Sequence, residues 1–271
     1  MLKTRIIPTL LWKDIGLVKG ISFDSWRRVG SLLPAIRVYN TRQVDELILV
    51  DINATRDVRS PDFATINEIS CECFVPFTVG GGIKTIEDIK ALLRAGADKV
   101  SINSASYDNP KLISEGARLF GNQCIVASID AKKNSAGKYE CYSHSGTKRQ
   151  NKDLKKWAKE LEELGAGEIL VTSVERDGTM KGYDVNLIRM ITESVSIPVI
   201  ASGGAGSYKD MLEAIEKGGA SAIAAASIFH FTELTPLGAK EYLNKNGIHV
   251  RLDKKIEETK HKTKDFDFLN I

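Results

Sequence analysis

Short runs rich in Ile, Val and Leu recur along the chain. Each is followed by glycine or polar residues and then by a stretch whose apolar positions fall at helical spacing. Short apolar runs bounded by turn residues read as strands, and apolar positions spaced three and four apart read as one face of a helix. On this pattern strands are expected near residues 5–11, 46–52, 75–79, 98–102, 123–130, 168–173, 198–202 and 221–226. The clearest helix lies over 151–164, where Leu154, Trp157, Ala158, Leu161 and Leu164 form an apolar stripe that ends at Gly165-Ala166-Gly167. Strand and helix alternating along the whole length predict parallel βαβ units. Eight such strands at this spacing predict an α/β protein of the (β/α)8, or TIM, barrel type rather than an open sheet.

One passage occurs twice, about 120 residues apart, as two halves of such a barrel would require. The first copy is Val75-Pro76-Phe77-Thr78-Val79-Gly80-Gly81-Gly82, then a helical run, then Gly96-Ala97-Asp98-Lys99-Val100-Ser101-Ile102-Asn103-Ser104. The second is Ile197-Pro198-Val199-Ile200-Ala201-Ser202-Gly203-Gly204, then Gly219-Ala220-Ser221-Ala222-Ile223-Ala224-Ala225-Ala226-Ser227. Glycine directly after a strand lets backbone N–H groups approach an anion, because no Cβ intervenes. Two such turns on opposite sides of one barrel predict a grip for a ligand with two phosphates. Overlaying the halves sets Ile6–Lys13 on Ile125–Lys132 and so pairs Leu11 with Asp130. A carboxylate at the C-terminal end of a barrel strand occupies the usual place of a general acid or base; a structural cap is the alternative.

The connections at 12–30 and 131–150 are long and both follow strands, which assigns them to the face where active-site loops gather. Within the second, the alternation of Lys138–His144 predicts a hairpin. The pattern gives one barrel domain over 1–252 and a Lys- and Glu-rich extension over 253–271, readable as a free tail or a docking arm.

Composition narrows the function classes. The 271 residues are 42% hydrophobic, and the net charge of +3 arises from 38 basic and 35 acidic residues dispersed along the chain. That dispersal argues against a nucleic-acid surface. No run approaches the roughly 20 apolar residues of a membrane span, and the N-terminus lacks the apolar core of a signal peptide, so a cytoplasmic location is expected. Cys71, Cys73, Cys124 and Cys141, with His144, His230, His249 and His261, show no metal-ligand spacing, so neither metal nor cofactor is expected. His230, between Phe229 and Phe231, reads as a packing residue.

The motifs Phe77–Ile83, Ala97–Asn103, Ser173–Thr179 and Ile200–Gly206 resemble signatures of the cyclase subunit of imidazole glycerol phosphate synthase, the barrel half of a glutamine amidotransferase of histidine biosynthesis. The resemblance covers about residues 1–252. It implies a heterodimer in which a glutaminase docks at the bottom of the barrel. Ammonia then crosses the core to a two-phosphate ribulosyl intermediate at the top, where two aspartates assist cleavage and ring closure. Asp130 matches one of these aspartates, and Leu11 stands where the other belongs. Arg5, Glu46, Lys99 and Glu168 match a charged gate for ammonia, and Asp98 matches a position facing the glutaminase. Gly82, Asn103 and Ser104 match one phosphate site; Gly178, Gly204 and Ser227, with Asp177 and Gly203 beside them, match the other. Lys19 matches a substrate-contacting lysine of the first loop.

That loop departs from the family at Pro8, Thr9, Trp12, Ile15 and Gly16. The run Pro8-Thr9-Leu10-Leu11-Trp12-Lys13-Asp14 is similar to a paralogue branch that, with its own glutaminase, supplies ammonia to a separate sugar amidotransferase forming acetamidino groups on lipopolysaccharide-type sugars. The resulting expectation is an ammonia-channelling barrel with cyclase chemistry weak or absent. Three alternatives stand beside it. One is a true cyclase in which Asp14 or a water on Asp51 covers for the lost carboxylate. Another is a sister phosphoribosyl isomerase, against which Leu11 counts. The last is a phosphate-liganded activator of a glutaminase.

Overall fold

The computed structural model describes residues 3–14 and 16–252, so the expectations about Ile15 and the 253–271 extension lie outside the described residues. The chain begins with β1 (Arg5–Lys13), a hairpin of β2 (Gly16–Ile21) and β3 (Asp24–Gly30), then α1 (Leu32–Thr41) and β4 (Leu47–Asp51). It continues through α2 (Phe63–Ser70), β5 (Phe77–Gly80), α3 (Ile86–Arg94), β6 (Lys99–Ile102), α4 (Ser104–Asp108) and α5 (Lys111–Phe120). The second half opens with β7 (Ile125–Lys133), β8 (Tyr139–Ser143), β9 (Lys148–Arg149), α6 (Leu154–Glu163) and β10 (Glu168–Ser173). It ends with α7 (Val185–Thr192), β11 (Val199–Ser202), α8 (Tyr208–Glu216), β12 (Ala222–Ala225), α9 (Ser227–Phe231) and α10 (Pro236–Lys245).

Eight of the described strands pair in parallel in the order β1, β4, β5, β6, β7, β10, β11, β12, and β12 pairs back onto β1. The sheet is therefore a closed (β/α)8 barrel, and each expected strand is one of its staves. Strand β1 shows how the pattern builds two cores. Ile6, Leu10 and Trp12 pack outward against the helices, while Ile7 joins Ile48, Val126, Leu170, Ile200, Ala222 and Ala224 inside the barrel. Thr9 and Leu11 continue the inward-facing row to the cavity above.

The half-barrel repeat persists in local chemistry. Thr85 and Asp88 form a capping box at the start of α3, as Ser207 and Asp210 do at the start of α8. Helix α6 starts later than the expected 151 because Asp153 caps it, its carboxylate accepting from the Lys156 backbone N–H at 3.1 Å.

The two long connections are more ordered than open loops. In the first connection β1 runs on to Lys13, β2 returns antiparallel to it, and β3 pairs antiparallel with β2 as a hairpin. Strand β3 is mostly exposed, so it carries no apolar alternation to betray it. In the second connection β7 runs on to Lys133 and pairs with β8, which lies within the expected alternating run Lys138–His144. Among the described residues no helix is long and apolar enough to cross a membrane.

Candidate functional site

A cavity of about 480 Å³ opens at the C-terminal ends of the barrel strands. Its lining brings together Leu11, Lys19, Gly82, Asn103, Ser104, Asp130, Asp177, Gly178, Gly203, Gly204 and Ser227, residues expected from the sequence to share a site. The two halves contribute alike. Ser104 opens the short helix α4 after β6, and Ser227 opens α9 after β12.

The glycines have a second reason to be glycine. Gly82 and Gly204 both have left-handed backbones, with φ of +75° and +112°. A Cβ on Gly204 would lie 2.2 Å from the Gly182 carbonyl oxygen, and one on Gly82 would lie 2.8 Å from the Ala54 Cβ. The turns are thus packed against neighbouring loops as well as facing the cavity.

Asp130 ends the inward row of β7 and is buried. The Asn103 amide donates to its Oδ2 at 2.7 Å. Burial raises its pKa to about 7, the charge of Asp177 pushes in the same direction, and the Asn103 hydrogen bond and Lys132 oppose them. Leu11 lines the cavity from β1 and offers no proton.

Asp14 and Asp51, weighed beside Asp130, are placed differently. Asp51 reaches the cavity, yet its Oδ1 accepts from the Asn53 and Ala54 backbone N–H groups at 3.0 Å each and from Arg59 at 2.9 Å. Its Oδ2 lies 2.7 Å from the same guanidinium. Asp14 is exposed and absent from the lining.

Lys19 is only 2% exposed, and its Nζ lies 2.5 Å from Asp177 Oδ2. The Ser22 backbone N–H donates to the Asp177 carbonyl at 2.8 Å, so the β2–β3 hairpin is fastened over the cavity rim. Among the described residues, the buried atoms Thr9 Oγ1, Asn103 Oδ1 and Ser227 Oγ have no hydrogen-bond partner. All three residues line the cavity, so a polar ligand there would satisfy groups that burial leaves costly.

At the opposite end, Arg5, Glu46, Lys99 and Glu168 close a ring. Arg5 lies 2.7 Å from Glu46 and 3.0 Å from Glu168; Lys99 lies 2.9 Å from Glu46 and 3.3 Å from Glu168. Thr78 donates to the other Glu46 oxygen at 2.6 Å. Asp98 is exposed beside the ring, and its carboxylate accepts from the Phe77 backbone N–H at 2.8 Å. Between ring and cavity lies the apolar layer centred on Ile7, Ile48, Val126 and Ile200.

The histidines divide. His230 is partly buried beside Phe231, with ring centroids 6.2 Å apart, and burial, helped by Lys19, lowers its pKa to about 4. His144, which has no motif around it, lines the cavity from the turn after β8. Among the described residues no group of His, Cys, Asp or Glu could hold a metal ion.

Residues 5–235 match a family model described as histidine biosynthesis protein. A relative described as imidazole glycerol phosphate synthase subunit HisF, from Hydrogenobaculum sp. (strain Y04AAS1), is 48% identical over 252 residues, 93% of this chain and 100% of the relative. The match covers most of the chain, and the chain belongs to the histidine biosynthesis protein family as a HisF-like barrel.

Proposed function

We propose that this chain is the barrel subunit of a glutamine-dependent amidotransferase complex. It takes ammonia from a HisH-like glutaminase at its bottom face and passes it through the core, with cyclase chemistry weak because Leu11 replaces one of two expected aspartates. The observation that carries the reading is the combination of a complete Arg5–Glu46–Lys99–Glu168 ring at the floor with Leu11, not a carboxylate, at the strand end that the repeat pairs with Asp130. Asp130, Lys19 and the two glycine turns with Asn103, Ser104, Asp177, Gly178 and Ser227 form the phosphate-binding cavity in this reading, and Asp98 belongs to the docking rim.

The floor and the top play separate chemical parts. The ring holds four charges in mutual contact, so opening it for a small neutral molecule means separating ion pairs that are partly shielded from water. Asp130, with a pKa near 7, is suited to give or take one proton, whereas ring closure by paired acid and base needs two groups. The destination of the ammonia in this proposal is a separate sugar amidotransferase that installs acetamidino groups on surface-glycan sugars, as the loop around Leu11 suggests. Purified protein supplied with ammonium salt and the ribulosyl intermediate is expected to turn over weakly, and Leu11→Asp to raise the rate. Turnover by the unaltered chain at rates ordinary for the family overturns the proposal.

Membership of the family and the 48% identity to a HisF subunit support a second reading, a true cyclase of histidine biosynthesis. Deleting the gene separates the two. Retained histidine prototrophy with loss of the acetamidino group supports ammonia delivery; histidine auxotrophy supports the cyclase.

A further inference from the structure

We infer that His144 is a ligand-contacting residue of the cavity, held by its neighbours as a neutral Nε2–H donor for a phosphoryl group. This rests on the reading of the cavity as a phosphate site.

The hydrogen-bond chain points to one tautomer. Gln150 Nε2 donates to Ser143 Oγ at 2.6 Å, and Ser143 Oγ lies 2.8 Å from His144 Nδ1. A hydroxyl has one proton and two lone pairs; with one lone pair taken by the amide, Ser143 gives its proton to Nδ1 in the tautomer we assign. An accepting Nδ1 carries no proton, so the neutral ring carries its proton on Nε2. Among the described residues Nε2 has no hydrogen bond of its own. Ser143 is fully buried, which shields the relay from water.

The same logic applies one step further. The His144 backbone N–H donates to Ser104 Oγ at 3.0 Å. The Ser104 hydroxyl proton is thereby released for another acceptor. His144 and Ser104 line the same cavity, and each has a donor to offer, the imidazole Nε2–H and the Ser104 O–H. A group that only accepts, such as a phosphoryl, complements that pair; an ammonium group, which only donates, does not.

The backbone is built to hold the ring there. His144 and Ser145 are consecutive non-glycine residues with φ of +52° and +55°, a conformation that side chains make costly and that collects at functional sites. The turn is tied on several sides: Thr147 Oγ1 donates to the His144 carbonyl at 2.7 Å, Ser145 Oγ to the Ile52 carbonyl at 3.0 Å, and Lys132 Nζ to the Gly146 carbonyl at 2.5 Å. A turn needed only to reverse the chain would be easier to make from glycine.

The experiment is imidazole ¹⁵N spectroscopy of the full chain titrated with inorganic phosphate, alongside calorimetric binding. The free protein is expected to show His144 as the Nε2–H tautomer, and its ring signals to shift with phosphate. Ser143→Ala should give mixed tautomers and weaker binding. His144→Ala should weaken phosphate binding about tenfold, the scale of a lost hydrogen bond to a charged group, and His144→Gln, which keeps a donor, should recover part of it. Circular dichroism checks that each variant is folded. A His144 ring unmoved at saturating phosphate, or a folded His144→Ala binding as tightly as the unaltered chain, overturns the inference while leaving the cavity reading intact. Failure of phosphate to bind the unaltered chain overturns both.

Discussion

Asp130 sits where its charge is least welcome, and stability should record that. Its pKa rises from the ordinary 3.8 to about 7, chiefly through burial. Between those values the folded chain keeps a proton that the unfolded chain has released, so stability falls as pH rises across that window and the penalty is complete above it. Asp130→Asn, which keeps an acceptor for Asn103, removes the penalty. The variant is expected to match the parent near pH 4 and to exceed it by up to ~4 kcal/mol near pH 8 in chemical denaturation. Equal stability at both pH values would refute the assignment. This residue was legible in the sequence because the repeat set it opposite Leu11. His144 was not, since Gln150 meets Ser143 only through the β8–β9 pairing, and Ser104 comes from the other half of the wall.

Elements inherit the repeat more faithfully than residues do. The capping boxes at Thr85 and Ser207 stand at equivalent points of the two halves, and a lost cap costs ~1 kcal/mol. Thr85→Ala and Ser207→Ala are each expected to lower unfolding free energy by that amount, and the double variant by their sum, because the sites are far apart. A clearly larger loss in the double variant would show coupling between the halves.

The β2–β3 hairpin was not legible, because β3 turns most of its side chains to water. What secures it is the buried pair of Lys19 with Asp177. Removing one partner of a buried pair costs ~3–5 kcal/mol unless the survivor can reach water. Asp177→Asn should therefore release the hairpin, seen as faster tryptic cleavage at Arg27 and Arg28. An unchanged cleavage rate would mean that the ion pair does not hold it.

The whole barrel was legible from alternation alone, since every stave carries an apolar run and every gap a helical stripe or turn. The charged floor was readable only through family likeness, because Arg5, Glu46, Lys99 and Glu168 are up to 163 residues apart and meet only when the sheet closes. Glu46 is its hub, 1% exposed and in contact with Arg5, Lys99 and Thr78. Glu46→Gln leaves two cations to share Glu168. With partial hydration of those partners, a loss of ~2–3 kcal/mol is expected by urea denaturation, and a change within error would contradict the hub role.

The apolar layer between floor and cavity has one further consequence. Ile7, Ile48, Val126, Ile200 and Ala222 supply no oxygen or nitrogen side-chain atom to replace a hydration shell. An ion on this path would lose its water with nothing in exchange, at a cost far above that for a small uncharged molecule. On the proposed ammonia route this layer would sort by protonation state: of a base and its conjugate acid, only the base would cross, and the pH on the entry side would meter the flow.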